Sequence, residues 1–521
     1  MISMKRYWEI SLLIIICLII GSNIVWIILD ESPPLWDMAG HSSRAALYAQ
    51  LLSQGKFVEI LNYDTIYPPL PYLITAIFFL IFGWHVDIPQ YSLLFWLIIF
   101  AGSLYSLTKT LSQNRIVALL SVILALLFPL LAHFTRIYTL DFPLVAIITA
   151  CFAALVKTKY FSDQKWSIFF GLLVGFALLT KWTAIIFLIA PTLFYLLKVR
   201  KKTLINILLA LSIILIIAGP WYFIHGKTVL ASSEDTRNNI FSVPYENLLS
   251  LNNAFYYFNK TVDGISWPVS LFILAGIIYA IYKKNIFLLL WIAVPYLILT
   301  FGLYSKESRY FLPAFPALAI ITINFLFSIK YKKILLPLLF IFSIIFWLQI
   351  SWHLQIIPKK SYKLLHLNNA FGFKKITTQW LGYGFTYPTA YTTDLDDVAK
   401  IIKDDIKKNK TYHLIVVPNS MFLTVQQLQY YAQVNNLNNI DYSLSPQLQI
   451  SDWRNTILQA DYLVTKTGEQ GPNVWNNNLG EIAEEESKEN SKIFANFTLI
   501  KTWKFSGLEK KSQEMRLYRR N

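Results

Sequence analysis

Between residues 30 and 44 the chain reads Asp30-Glu31-Ser32-Pro33-Pro34-Leu35-Trp36-Asp37-Met38-Ala39-Gly40-His41-Ser42-Ser43-Arg44, directly after an apolar run from Ile10 to Leu29. Three carboxylates, a histidine and an arginine thus stand at the mouth of a membrane-type helix. Charge at such a place is costly unless water, a metal ion or a cationic partner meets it. A helix starting near Asp37 puts Asp37, His41, Arg44 and Tyr48 on one face, at i, i+4, i+7 and i+11. An Asp in a first turn stays ionised in the field of the helix dipole. It could then serve as a base toward a hydroxyl or as a ligand to a divalent cation, magnesium, manganese or zinc. A capped helix with a merely wet polar face is the simpler alternative, and spacing does not choose between them.

Other polar residues interrupt the apolar sequence at separate places. Tyr67-Pro68-Pro69-Leu70-Pro71 sets the start of a short helix. Arg136-Ile137-Tyr138-Thr139-Leu140-Asp141 precedes another, with Asp141 in position to cap it. Lys181 breaks the run Gly171–Leu197. Lys306-Glu307-Ser308-Arg309-Tyr310 leads into Phe311-Leu312-Pro313-Ala314-Phe315-Pro316. Pairing of Lys306 with Glu307 would leave Arg309 for an anion, and its planar fork suits a phosphate or pyrophosphate.

The frame that must hold these residues is a membrane. Of 521 residues 55% are hydrophobic and only 15% charged, and the mean hydropathy is +0.47. Soluble domains carry about 25% charged residues. The net charge of +16 does not indicate nucleic acid, because the lysines and arginines cluster in short loops between apolar runs, as the positive-inside rule requires. The two cysteines, Cys17 and Cys151, lie within apolar runs and read as small packing residues. The apolar runs are Ile10–Leu29, Pro71–Gly83, Tyr91–Leu107, Ile116–Ala132, Phe142–Val156, Ile168–Leu179, Trp182–Leu197, Leu204–Phe223, Ile265–Tyr282, Ile286–Leu303, Phe311–Ile329 and Ile334–Trp352. A helix over Pro71–Gly83 rises only about 20 Å, short of the ~30 Å hydrocarbon core.

If that short segment lies in the interface, about eleven helices cross. The loops 108–115, 157–165, 198–202, 283–284 and 330–333 are then basic and cytoplasmic, with the N-terminus. The loops 30–67, 133–141, 225–264 and 304–309 face outward, and together they bring carboxylates and cations to the depth of a lipid phosphate.

Residues 1–352 therefore form the membrane domain, and the polar stretch 353–521 an extracytoplasmic α/β domain. In the latter, helices are predicted after Thr393 and over Val425–Gln433, and strands over Tyr412–Val417, Ala460–Thr465, Phe497–Phe505 and Glu514–Tyr518. Glu481–Asn490 reads as a charged loop.

Several of these pieces, in this order, resemble the polytopic GT-C glycosyltransferases that use polyprenyl- or dolichyl-phosphate sugars, the protein O-mannosyltransferase and aminoarabinose-transferase-like group. The pieces are Trp36-Asp37, Tyr67-Pro68-Pro69-Leu70, Asp141, Gly175-Phe176-Ala177-Leu178-Leu179-Thr180-Lys181, Gly219-Pro220-Trp221-Tyr222 and Arg309-Tyr310-Phe311-Leu312-Pro313-Ala314-Phe315-Pro316. The resemblance implies a multi-pass protein of the plasma (inner) membrane that inverts a sugar on transfer. The donor would be a polyprenyl-phosphate-linked sugar, the acceptor a lipid, glycan or protein. It implies Asp37 and Asp141 as catalytic or metal-proximal carboxylates. Lys181 and Arg309, with Arg136 and Lys306, would hold the donor phosphate. Met38 stands where many relatives carry Glu, and His41 or Glu31 would compensate; Arg44 and Tyr310 are further supporting candidates. The rival class is a flippase or exporter of a lipid-linked saccharide or other amphiphile. Transporters often show two similar halves and mid-membrane charges; here no halves are seen and the charges collect at one face.

Overall fold

A computed structural model describes residues 4–63, 66–238, 248–354, 356, 361–362, 376–377, 387–389, 393–407, 410–420, 423–437, 439–443, 452–468, 470–471, 478–488, 490–506 and 512–521. The helix predicted after Thr393 runs, by its sequence, toward a basic end at Lys400, Lys403, Lys407 and Lys408, and of these Lys408 falls outside the described residues. The chain forms two compact units. One comprises Met1–Ile27, Lys56–Pro71 and Gln90–Tyr387; the other comprises Ile28–Gly55, Tyr72–Pro89 and Pro388–Asn521. A cut at residue 353 follows composition. The units follow contact instead, so two early segments, including the one that carries Asp37, group with the tail.

The first unit is helical. Its hub is Asp141–Lys157, in which every residue from Asp141 to Leu155 is buried. A helix apolar on all sides belongs inside other helices. Phe142 meets Phe100 edge to face at 5.8 Å, and Phe152 lies 4.5 Å from Trp291. Trp291 in turn donates its indole N–H to the Pro313 carbonyl at 2.9 Å. These contacts seat the 3₁₀ helix Ser308–Ala314 beside the hub. The Gln164–Thr180 helix packs on Leu204–Asn238 through Gly171 and Gly175, one turn apart. A Cβ at Gly171 would stand 2.5 Å from the Ala210 carbonyl oxygen, so only glycine lets the two backbones come this close.

Among the described residues, five helical segments are long and apolar enough to cross a membrane: Ile10–Leu29, Ile88–Ser112, Leu204–Ser232, Ser308–Ser328 and Lys332–Trp352. Shorter apolar helices accompany them, among them Arg115–Leu126, Ala184–Leu196, Trp267–Tyr282, Ile286–Gly302 and the 13-residue Leu70–Phe82.

Several elements differ from expectation. The run Ile116–Ala132 divides, because Pro129 starts a second helix, Pro129–Phe134. The helix after Leu204 does not stop at Phe223 but runs to Asn238. The segment 225–264, expected as a loop, also contains the helices Leu251–Ala254 and Tyr256–Ile265. Their polar residues conceal an amphipathic pattern: Tyr256, Tyr257, Gly264 and Ile265 are buried.

The second unit holds a mixed five-stranded sheet in the order Ile440–Ser443, Tyr412–Val416, Tyr462–Lys466, Ser512–Arg520, Phe497–Ser506. The first three strands are parallel and the last two pair antiparallel. Val425–Val434 begins at a reciprocal cap between Thr424 and Gln427. It packs on the Trp36–Ser53 helix, where Gly40 approaches Gln426. Of the stretch read as a charged loop, Glu481–Ser487 is helical, within the helix Leu479–Ser487, whose Leu479 and Ile482 are buried. Its Glu486 accepts hydrogen bonds from Thr465 and Tyr518 and pairs with Arg516.

Candidate functional site

In the first unit three elements bring four charged side chains together. Asp141 is the first residue of its helix. Lys181 ends the Gln164–Thr180 helix in extended backbone, φ −159° and ψ 131°. Arg309 belongs to the 3₁₀ turn that Glu307 precedes.

Lys181 Nζ donates to Asp141 Oδ1 at 2.8 Å, and Arg309 Nε lies 3.7 Å from Asp141 Oδ2. Arg309 Nε also stands 2.6 Å from Glu307 Oε2, as a charge pair rather than an aligned hydrogen bond. The side-chain exposures are 3% for Asp141, 8% for Arg309, 13% for Lys181 and 16% for Glu307. Water therefore screens these charges poorly, and pairing is what makes their burial tolerable. The Tyr310 ring lies beneath both cations, 5.5 Å from Lys181 Nζ and 5.9 Å from the Arg309 guanidinium carbon.

Glu307 thus takes Arg309 as its partner, against the expected Lys306–Glu307 pair. Lys306 is buried and turns back to donate to the Leu303 carbonyl, while its own carbonyl accepts from Tyr256 Oη at 3.0 Å. Burial pushes its ammonium down to about 8.

Arg136 makes other contacts. It is 1% exposed, donates from Nη2 to Ser351 Oγ at 2.8 Å and from Nε to the Ala132 carbonyl at 3.2 Å, and lies over the Trp26 ring. Trp26 donates to the Ser351 carbonyl at 3.1 Å. Arg136 therefore joins the first and last membrane-type helices to the Pro129–Phe134 turn.

In the second unit the helix expected from Asp37 spans Trp36–Ser53. Its polar face organises around Tyr72: His41 Nδ1 lies 2.8 Å and Arg44 Nη1 3.3 Å from Tyr72 Oη, and Tyr48 packs edge-on at 5.7 Å. Asp37 is in the first turn and exposed. Trp36 before it has φ +30°, a backbone region non-glycine residues rarely occupy. Glu31 is exposed, and its backbone N–H donates to the Thr389 carbonyl at 2.8 Å. Asp30 accepts from Thr389 N at 3.0 Å and from Ser32; burial raises its carboxyl above the ordinary range.

Among the described residues no group of three or more His, Cys, Asp and Glu side chains could hold a metal ion. Asp141, flanked by Lys181 and Arg309, does not suit a cation, since the two nearby positive charges oppose one.

Sequence reasoning missed Glu307 as the Arg309 partner and Tyr256 as a support of Lys306. The backbone turn beginning at Ser308, which fixes the first, has no signature in residue type. The second lay in a segment read as loop.

The family described as dolichyl-phosphate-mannose-protein mannosyltransferase matches residues 67–223. These include Asp141 and Lys181. A curated, uncharacterized protein of Aquifex aeolicus (strain VF5) is 27% identical over 343 residues, 63% of this chain; the match spans 64% of the relative's own length.

Among solved structures, ArnT from Cupriavidus metallidurans bound to undecaprenyl phosphate is similar with a TM-score of 0.61 at 12% identity, covering 98% of each chain. The apo form of the same protein gives 0.62 at 13% identity, covering 99% of this chain and 98% of that one. The oligosaccharyltransferase of Archaeoglobus fulgidus gives 0.52 at 12% identity over 89% of this chain and 70% of its own. A second structure of it is a complex with Zn and sulfate. These likenesses show the fold, that of the GT-C membrane enzymes, with a small C-terminal sheet domain.

Proposed function

We propose that the chain is a multi-pass plasma-membrane glycosyltransferase that moves a sugar from a polyprenyl-phosphate donor to an extracytoplasmic acceptor, with inversion at the anomeric carbon. The observation that carries this reading is the buried cluster of Lys181, Asp141, Arg309 and Glu307. It lies in a chain whose fold matches, over 98% of its length, a protein crystallised with undecaprenyl phosphate.

In this reading the N-terminus is cytoplasmic and the C-terminal domain extracytoplasmic. The Asp141–Lys157 helix supports that orientation. Its 17 residues separate Asp141 from Lys157 by about 25 Å, and the Lys157 end adjoins the basic stretch 157–165.

The chemistry follows from charge. An acceptor hydroxyl attacks the anomeric carbon and a carbon–oxygen bond forms. The bond from that carbon to the phosphate oxygen breaks, and its electron pair leaves with the lipid phosphate. Lys181 and Arg309 stabilise the charge that builds on that phosphate. The acceptor proton goes to a base, for which Asp37, exposed in a first helical turn, is the candidate that the sequence offers. Asp141 holds the two cations in place.

The test is sugar transfer in membranes containing Asp37→Asn at wild-type protein level. The reading expects loss of at least about a hundredfold in rate, within the range usual for removal of a general base. Near-normal turnover rejects Asp37 as the base. In a deletion strain, accumulation of an intact lipid-linked saccharide on the inner leaflet would instead indicate flipping.

A further inference from the structure

Both cations assigned above to the donor phosphate already face carboxylates. Lys181 and Arg309 carry two positive charges, Asp141 and Glu307 two negative ones, and all four side chains are at most 16% exposed. The carboxylates are not equivalent. Asp141 binds Lys181 at 2.8 Å and reaches Arg309 only at 3.7 Å, whereas Glu307 approaches Arg309 Nε to 2.6 Å.

Glu307 comes from extended backbone, φ −134° and ψ 147°, immediately before the 3₁₀ turn that carries Arg309. The pair is therefore local and held by the turn itself. Glu307 also sits on the same guanidinium that a phosphate would use, so its negative charge acts directly on any anion bound there.

We infer that Glu307 is a positioning residue that orients Arg309 and weakens the hold of the site on a departing phosphate monoester more than on the donor diester. The inference rests on the donor reading above. Its basis is electrostatic. A donor phosphodiester carries one negative charge; the lipid phosphate released carries nearly two near neutral pH, as a phosphomonoester does. Two unit charges about 6 Å apart repel enough, even at the dielectric constant of bulk water, to change affinity about threefold. Glu307 therefore penalises the monoester about tenfold and the diester about threefold. A site built from Lys181 and Arg309 without it would keep its product.

The experiment uses the full chain, purified in detergent, with undecaprenyl phosphate and its methyl phosphodiester as probes, read by tryptophan fluorescence or native mass spectrometry. Glu307→Gln keeps shape and removes charge. It is expected to tighten undecaprenyl phosphate about tenfold and the diester about threefold. Glu307→Asp, which withdraws the carboxylate from Arg309, is expected to shift both the same way by less, and provides the test should the Gln variant not fold. A purely structural Glu307 predicts the opposite, weaker binding of both probes. That result, or equal effects on monoester and diester, overturns the inference. If wild-type protein binds neither probe saturably, the donor reading itself falls, and this inference with it.

Discussion

Replacing Asp141 with asparagine is the sharpest perturbation of the buried charge cluster. The substitution keeps the volume and removes one negative charge from a side chain only 3% exposed. Lys181 loses its partner at 2.8 Å, and Arg309 keeps Glu307 but loses its second carboxylate at 3.7 Å. Breaking a buried ion pair from one side costs about 3–5 kcal/mol, because the remaining charge stays buried and uncompensated. Lys181 is 13% exposed and retains some solvation, which places the expected cost near the lower end, about 3 kcal/mol. At roughly 2 cal/mol/K of unfolding entropy per residue, a body of several hundred residues then melts about 4–5 °C lower.

The assay is thermal unfolding of purified protein in detergent, run as a cycle with Lys181→Gln and the double variant. Groups in contact couple, whereas independent sites add within about 0.5 kcal/mol. The pair reading expects the double variant to be less destabilised than the sum of the single ones, by at least about 1.5 kcal/mol. Additive losses, or an Asp141→Asn variant as stable as wild type, would refute the argument that pairing makes this burial tolerable.

Three further outcomes follow from packing and charge. Gly171→Val puts a branched side chain against the Ala210 backbone, 2.5 Å from its carbonyl oxygen at Cβ alone; it should cost roughly 3 kcal/mol or more or abolish folding, whereas Gly21→Ala, with nothing within 4 Å of the added Cβ, should fold normally in size-exclusion and melting assays. Arg136→Lys should lower stability by about 1–3 kcal/mol through loss of the Ser351 contact and leave polyprenyl-phosphate affinity unchanged in a binding titration. Asp87 has its carboxyl raised to about 6, by burial first, while His85 lowers it and Asp30 raises it further. A raised acid is stabilising when protonated, so this contribution is full below about pH 4 and is lost as pH rises through 6. A pH series of melting curves should show a loss of roughly 2–3 kcal/mol over that window, and Asp87→Asn should flatten it.

Much of the frame was legible because membrane helices announce themselves by long apolar runs. Lys181 could be found as the break between two such runs, and it is the residue at which the helix ends. Asp141 could be found because a carboxylate stands at the head of an apolar run, and it is the first residue of the hub helix. The helix predicted over Val425–Gln433 does start at Val425, where Thr424 and Gln427 cap each other.

The partners were not readable. The contact of Arg136 with Ser351 joins residues 215 positions apart, and no local pattern encodes it. Whether Glu307 pairs with Lys306 or Arg309 depends on the turn at Ser308. The helices in 225–264 were hidden because apolar content, the dominant signal in the flanking spans, falls there while the helical period continues. The charged stretch 481–490 misled for a similar reason: two apolar residues, Leu479 and Ile482, suffice to dock a helix, although charge dominates its composition.

The central claim is that a lipid phosphate is held by Lys181 and Arg309, and its most direct measurement is equilibrium binding of undecaprenyl phosphate to the purified full chain and to Arg309→Ala. The account predicts saturable binding by the wild type and affinity at least about tenfold weaker in the variant, the loss expected for removing a charge-assisted contact of about 1.5–3 kcal/mol. Equal affinity in the two proteins, with both folded, would contradict it.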